Sequence, residues 1–207
     1  MEVIHKKRES RRPDENHGAG NKGERTECSR TFNQIDPDTA GVPVDYSFRK
    51  VDYLSQLQNG LPREFRVGMP KVGESKRFVS RSIWANYNNL VDLSSISSLV
   101  SSSLEHPELI SWLDVSFNQI QTISKELTSL HNLMILYLHG NQIQCLTEVA
   151  KLRDLKKLRT LTLHGNPIEG TPNYRQQVLK LIPYLKNLDF SVVADYERAF
   201  VKYTRAL

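Results

Sequence analysis

Three stretches of this chain repeat one pattern, and that repetition constrains the fold more than any other feature. Ile110, Leu113, Val115, Asn118 and Ile120 form one copy. Leu133, Leu136, Leu138, Asn141 and Ile143 form the second, and Leu158, Leu161, Leu163, Asn166 and Ile168 the third. Each fits LxxLxLxxNxL throughout, with Ile or Val accepted for Leu. A weaker copy precedes them at Ile83, Ala85, Asn88 and Leu90. The asparagines lie 30, 23 and 25 residues apart. A unit of this size cannot bury its apolar face alone, so the units must stack into a solenoid.

The chemistry of each position follows from that stacking. A short strand sends alternate residues to opposite faces. The Leu, Ile and Val positions point into the coil, and the Asn turns inward where the chain leaves the strand. There its amide pairs backbone groups that burial would leave unpaired. Asn88, Asn118, Asn141 and Asn166 are therefore expected to form a ladder. Between strands the apolar spacing becomes helical: Leu93, Ile96, Leu99, Val100 and Leu104, then Ile123, Leu127 and Leu130, then Leu146, Val149, Leu152 and Leu155. These segments would line the convex side. The serines at 94–103 read as the solvated face of the first, with phosphorylation as the rival reading. A last strand at Leu185, Leu188 and Phe190 has Val193 at the ladder position, so the repeat stops there. Asp195 is placed to cap a final helix carrying Tyr196, Ala199, Phe200 and Tyr203.

Charge divides the 207 residues unevenly. Residues 1–40 hold eight Lys or Arg and eight Asp or Glu with few apolar residues, and read as a disordered tail. Residues 41–81 hold eight basic and four acidic residues and are broken by Pro and Gly. They read as a basic extended arm packing on the repeats through Tyr46, Phe48, Val51, Tyr53, Leu54, Leu57 and Phe65, with a short helix near 51–58. Residues 82–207 hold twelve basic and eleven acidic residues and form the repeat domain, its cap at about 170–207. No apolar run approaches the roughly 20 residues of a membrane span, and Met1–Arg12 does not read as a secretory signal. Two cysteines without a CxxC make no disulfide or zinc framework and favour a reducing compartment.

The residues between the inward positions should face the concave sheet. Four before each Asn stand Trp84, Asp114, Tyr137 and Thr162; six before stand Ser82, Trp112, Ile135 and Thr160; two before stand Asn86, Ser116, His139 and His164. Trp84, Trp112, Ile135 and Tyr137 would form an apolar patch, of a kind enriched at protein interfaces. The rival reading has the arm folding back over it. His139 and His164 fall side by side on adjacent strands without a third metal ligand in their column, so no metal is assigned. Arg63, Arg66, Lys71, Lys76, Arg77 and Arg81 offer the arm to an acidic protein surface, or leave it a solvated linker. Nucleic acid is the weaker expectation, because no RNP, KH or zinc-finger motif accompanies the charge. No GxSxG, HExxH or phosphate loop is present, and no enzyme, cofactor or small-molecule substrate is expected.

Pattern and period together resemble the leucine-rich repeat. The segments VPVDYSFRKV at 42–51, RSIWANYNNLVDL at 81–93, LEHPELISWLDVSFNQI at 104–120, LMILYLHGNQI at 133–143 and LRTLTLHGNPIEG at 158–170 carry that resemblance. The ending LHGNPIEGTPNYRQQVLKLIPYLKNLDF resembles the intracellular class with a C-terminal cap. The resemblance implies an α/β leucine-rich repeat solenoid, a short right-handed horseshoe with a parallel concave sheet and a helical convex side. It also implies a cytoplasmic, non-enzymatic binding adaptor placed in a ciliary or flagellar axonemal complex, with axonemal proteins or tubulin as partners. The class also contains soluble regulators of a phosphatase and of an RNA-processing particle, which stand as the alternative.

Overall fold

The computed structural model describes residues 41–58, 60–64 and 68–203, with side chains to residue 199. The expectation of a tail at 1–40 lies outside these residues, as do Phe65 and Arg66.

Four short strands carry the inward Leu positions: β4 (Ser82–Trp84), β5 (Trp112–Asp114), β6 (Ile135–Tyr137) and β7 (Thr160–Thr162). They pair in parallel with Ile83, Leu113, Leu136 and Leu161 in one register row. These four side chains are fully buried, as are Leu138, Leu158 and Leu163. At roughly 2 kcal/mol for each buried aliphatic side chain, this stacked column is what holds adjacent coils together.

The ladder joins the coils at the strand exits. Asn118 donates from Nδ2 to Val115 O and Ser116 O of its own coil and to Ala85 O of the coil before. Its Oδ1 accepts from Leu90 N at 3.0 Å. Asn141 repeats this with Leu138 O, Val115 O and Ile120 N, and Asn166 with Leu163 O, Leu138 O and Ile143 N. Asn88 does the same with Ala85 O, Tyr46 O and Val51 N. One side chain per coil thus pairs carbonyls and an amide that a Leu would leave stranded in the core.

Asn88 reaches back to Tyr46 because the sheet starts one coil earlier than the Leu and Asn pattern indicates. β1 (Val44–Asp45) pairs in parallel with β4, Val44 opposite Ile83 and Asp45 opposite Trp84. Val44 and Tyr46 fill the inward positions. The head of the supposed arm is therefore a strand of the sheet. A 3₁₀ turn at Leu54–Leu57 buries both leucines, and Tyr46 Oη meets Ser103 Oγ at 2.9 Å. The rest of the arm forms a hairpin, β2 (Lys71–Val72) with β3 (Phe78–Val79). Glu105 ties down its tip by accepting from Ser75 N and Ser75 Oγ.

The convex segments are less helical than their spacing suggests. α1 (Ile96–Ser103) is a full helix in the longest coil. The next coil closes with a 3₁₀ turn at Lys125–Ser129, and the third with α2 (Leu146–Ala150) running into a 3₁₀ turn at Lys151–Asp154. Coils of 23 and 25 residues leave room for little more than one turn.

The far end is closed by α3 (Tyr174–Leu181), β8 (Asn187–Leu188), β9 (Ser191–Val192) and α4 (Asp195–Tyr203). β8 continues the parallel sheet, and β9 turns back antiparallel and ends it. Arg175 on α3 clamps this cap: Nε and Nη2 grip Glu197, and Nη1 donates to Leu188 O. That grip raises the Arg175 guanidinium and lowers the Glu197 carboxyl from their usual ranges. Glu197, not Asp195, caps α4, accepting from Ala194 N at 2.9 Å while Asp195 stands in solvent. Among the described residues no helix is long and apolar enough to cross a membrane.

Candidate binding face

The strand residues that do not enter the core gather into an aromatic floor. Trp84 and Trp112 meet edge-on with centroids 5.2 Å apart, and Trp112 meets Tyr137 at 5.7 Å. Phe190 of the cap joins Tyr137 at 5.4 Å and His164 at 5.5 Å. Trp84, Trp112, Tyr137 and His164 are half-buried, and Phe190 is exposed. The edge-on geometry suits ring quadrupoles.

Not every expected residue offers surface. Thr162 is fully buried; its Oγ1 lies 2.8 Å from His139 Nδ1 and accepts from Leu138 N. It positions His139 and, fully buried, presents no surface to a partner. Ile135 is also buried. Asp114 is also buried, its Oδ1 accepting from Ser116 N and Oγ and its Oδ2 from Asn86 Nδ2. Burial raises its carboxyl pKa against those hydrogen bonds, and the charge of Asp45 adds to the rise. Asp45 holds Ser47 N and Oγ in the same way.

His139 and His164 stack face to face, centroids 4.7 Å apart and planes 8° from parallel. Burial, and then the neighbouring His164, pull His139 down to about 4, so it is neutral near neutral pH. His164 Nδ1 lies 3.3 Å from Asp189 Oδ1, and Asp189 Oδ2 accepts from Tyr174 Oη. Burial first, and then that carboxylate, raise the Tyr174 hydroxyl. No group of three metal-ligating side chains occurs among the described residues.

The basic residues of the arm part company. Arg63 lies beside β1, donating to Ser47 Oγ at 2.9 Å with its guanidinium 5.0 Å from the Phe48 ring centre. Lys71, Lys76 and Arg77 are exposed on the hairpin, and Arg81 precedes β4, its carbonyl accepting from Ser111 N and Trp112 N.

One aromatic row was not anticipated. The residue just before the ladder position is Phe48, Tyr87 and Phe117 in successive coils, then Gly140 and Gly165. All five have positive φ, between 52° and 68°. Phe48 stacks on Tyr87 at 4.7 Å and Tyr87 on Phe117 at 4.5 Å, with planes 7° and 14° apart. The signal was present in the sequence as Asp45-Tyr46-Ser47-Phe48 and Asp114-Val115-Ser116-Phe117, the same dipeptide spacing in two coils.

The leucine-rich repeat family model matches residues 88–204, more than half of the chain. This chain belongs to the leucine-rich repeat family. Within that family, leucine-rich repeat-containing protein 51 of Bos taurus is 44% identical over 168 residues, 80% of this chain and 86% of the relative. The Homo sapiens protein of that name is 44% identical over 158 residues, 75% of this chain and 81% of its own length. The leucine-rich repeat fold also matches a solved structure, the Drosophila melanogaster SNF/U2A' complex. The TM-score is 0.53 at 24% identity, covering 79% of this chain and 92% of that one.

Proposed function

We propose that the chain is a non-enzymatic adaptor that receives a protein partner on its aromatic sheet face, through Trp112 and Tyr137 at the centre with Trp84 and His164 beside them. One observation carries this reading: half-buried aromatic rings stand together on the face that neighbouring coils leave uncovered. Rings of this kind supply large contact area at low entropic cost, which is why a few of them dominate many interfaces. The leucine-rich repeat family supports it, because such solenoids present extended binding surfaces. The proposal extends to place, an axonemal complex of cilia or flagella, and the resemblance carried by residues 42–51, 81–93 and 104–120 supports that reading.

The test joins location to contact. The tagged full chain is expressed in a ciliated cell, the cell is extracted with detergent, and the insoluble fraction is crosslinked for mass spectrometry. An axonemal adaptor stays with the insoluble fraction, and Trp112→Leu with Tyr137→Leu releases it while the circular dichroism spectrum is unchanged. Recovery in the detergent supernatant with a phosphatase or an RNA-processing particle overturns the axonemal placement. Retention of every partner by the double variant overturns the aromatic face as the contact.

A further inference from the structure

The rim beside that floor carries a second surface. Its core is a column in which every ring face is already used. The Arg63 guanidinium covers Phe48, Phe48 lies on Tyr87, and Tyr87 on Phe117. At the far end Phe117 abuts Gly140, where an added Cβ would come within 2.8 Å of the Phe117 ring. Phe48, Tyr87 and Phe117 are 57%, 45% and 43% exposed. With their faces taken, they show solvent their edges.

That exposure is costly twice over. Large apolar rings are left in water, and each sits in a left-handed backbone conformation that bulky side chains resist. Glycine occupies the equivalent place at 140 and 165. Strain of this kind collects where a surface has work to do.

The chemistry of the row then selects the partner. The edge of an aromatic ring is its positive side and its face the negative one. Stacked bases and cations both need faces, which argues against single-stranded nucleic acid and against a cationic peptide. Edges suit carboxylates and carbonyls. The four strand exits, residues 47–50, 86–89, 116–119 and 139–142, contain no carboxylate. Their first coil adds Arg49 and Lys50, both exposed, and Arg63 stands at the head of the column. None of these three cations is in an ion pair among the described residues. Asp52 and Glu64 follow in the arm and leave the row itself positive. Exposed amides at Asn89, Gln119 and Gln142 run alongside and can pair a peptide backbone.

We infer that the Phe48–Tyr87–Phe117 rim, with Arg49, Lys50 and Arg63 at its head, docks an extended acidic segment of a protein partner. This surface adjoins the sheet floor proposed above, since the His139 ring meets Phe117 at 4.9 Å and Tyr137 at 5.9 Å, and it rests on different residues.

A phage-displayed library of random short peptides panned on the full chain tests it. The expected result is selection of peptides rich in Asp and Glu, which bind about tenfold more weakly to Arg49→Glu with Lys50→Glu and lose affinity as salt rises. Tyr87→Gly and Phe117→Gly should abolish that binding while unfolding near the wild-type temperature, since relief of the left-handed backbone offsets the lost stacking. Trp112→Leu should retain it. Selection of neutral or basic peptides, of none at all, or of peptides that bind the glycine variants as well as the wild type overturns the inference. Loss with Trp112→Leu and not with Tyr87→Gly also overturns it and assigns the peptides to the floor.

Discussion

The first three coils and the last two solve the same turn in different ways. At the left-handed residue before the ladder position, coils one to three place Phe48, Tyr87 and Phe117, and coils four and five place Gly140 and Gly165. The hydrogen bond is the same in both halves: Phe117 N donates to His139 O, and Gly140 N to His164 O, each at 2.9 Å. Glycine is the residue that needs no compensation there. The fold thus does not require the aromatic rings, and their stacking offsets strain that a glycine would never incur. The glycine half uses the space differently. Gly140 yields to Phe117, and in these coils His139 and His164 stack on each other in the column two before the ladder position. The comparison separates what the solenoid needs from what is added to it.

The largest effect should be indifferent to this division. Asn118→Ala in the aromatic half and Asn141→Ala at the start of the glycine half each strand several buried backbone groups. Each is expected to cost about 3–5 kcal/mol in urea unfolding. Unequal losses would show that one half carries the other. Gly140→Val should come next, at about 2–4 kcal/mol, because it combines positive φ with a clash on Phe117. Pairing it with Phe117→Gly should recover the part due to the clash and leave the part due to φ. Full recovery would deny the backbone strain on which the comparison rests.

What the sequence revealed and what it hid follow the same line. Leu113, Leu136, Leu161 and the four asparagines were legible because burial allows few substitutes at those places. The first strand was hidden because Arg49 stands where a ladder Asn would be and points instead to Leu61 O. Only the Asp45-x-Ser47-Phe48 echo of Asp114-x-Ser116-Phe117 betrays it. On the sheet face the columns named the right strands but not which residues remain open. Thr162 and Asp114 look exposed by alternation, yet both are buried and consumed by local hydrogen bonds. Alternation gives direction, and exposure depends on neighbours from other coils. The rim was missed because glycine in two coils conceals that the column exists.

The histidine pair sharpens the glycine half. A histidine held at about 4 in the folded chain and near 6.5 when unfolded favours folding through its neutral form. Its contribution is complete above the unfolded value and fades as pH falls from about 6.5 toward about 4, since the unfolded chain then binds the proton first. Urea titrations at pH 7 and pH 5 should differ by on the order of 1–2 kcal/mol more in the wild type than in His139→Gln. An identical pH dependence in both would show that His139 meets water in the folded chain.

The smallest effect is the most discriminating. Tyr87→Ala removes two stacked contacts and keeps a side chain at positive φ, so it should cost about 1 kcal/mol. Tyr87→Gly removes the same contacts and also the strain, and should fall near zero. The difference between the two, read from thermal unfolding, measures the strain net of the extra entropy a glycine loses on folding, because both variants lose the same ring. If alanine proved the more stable of the two, the positive φ would carry no cost beyond glycine's own entropy. The aromatic column would then be an ordinary packing solution, and no argument from strain would set the first three coils apart from the last two.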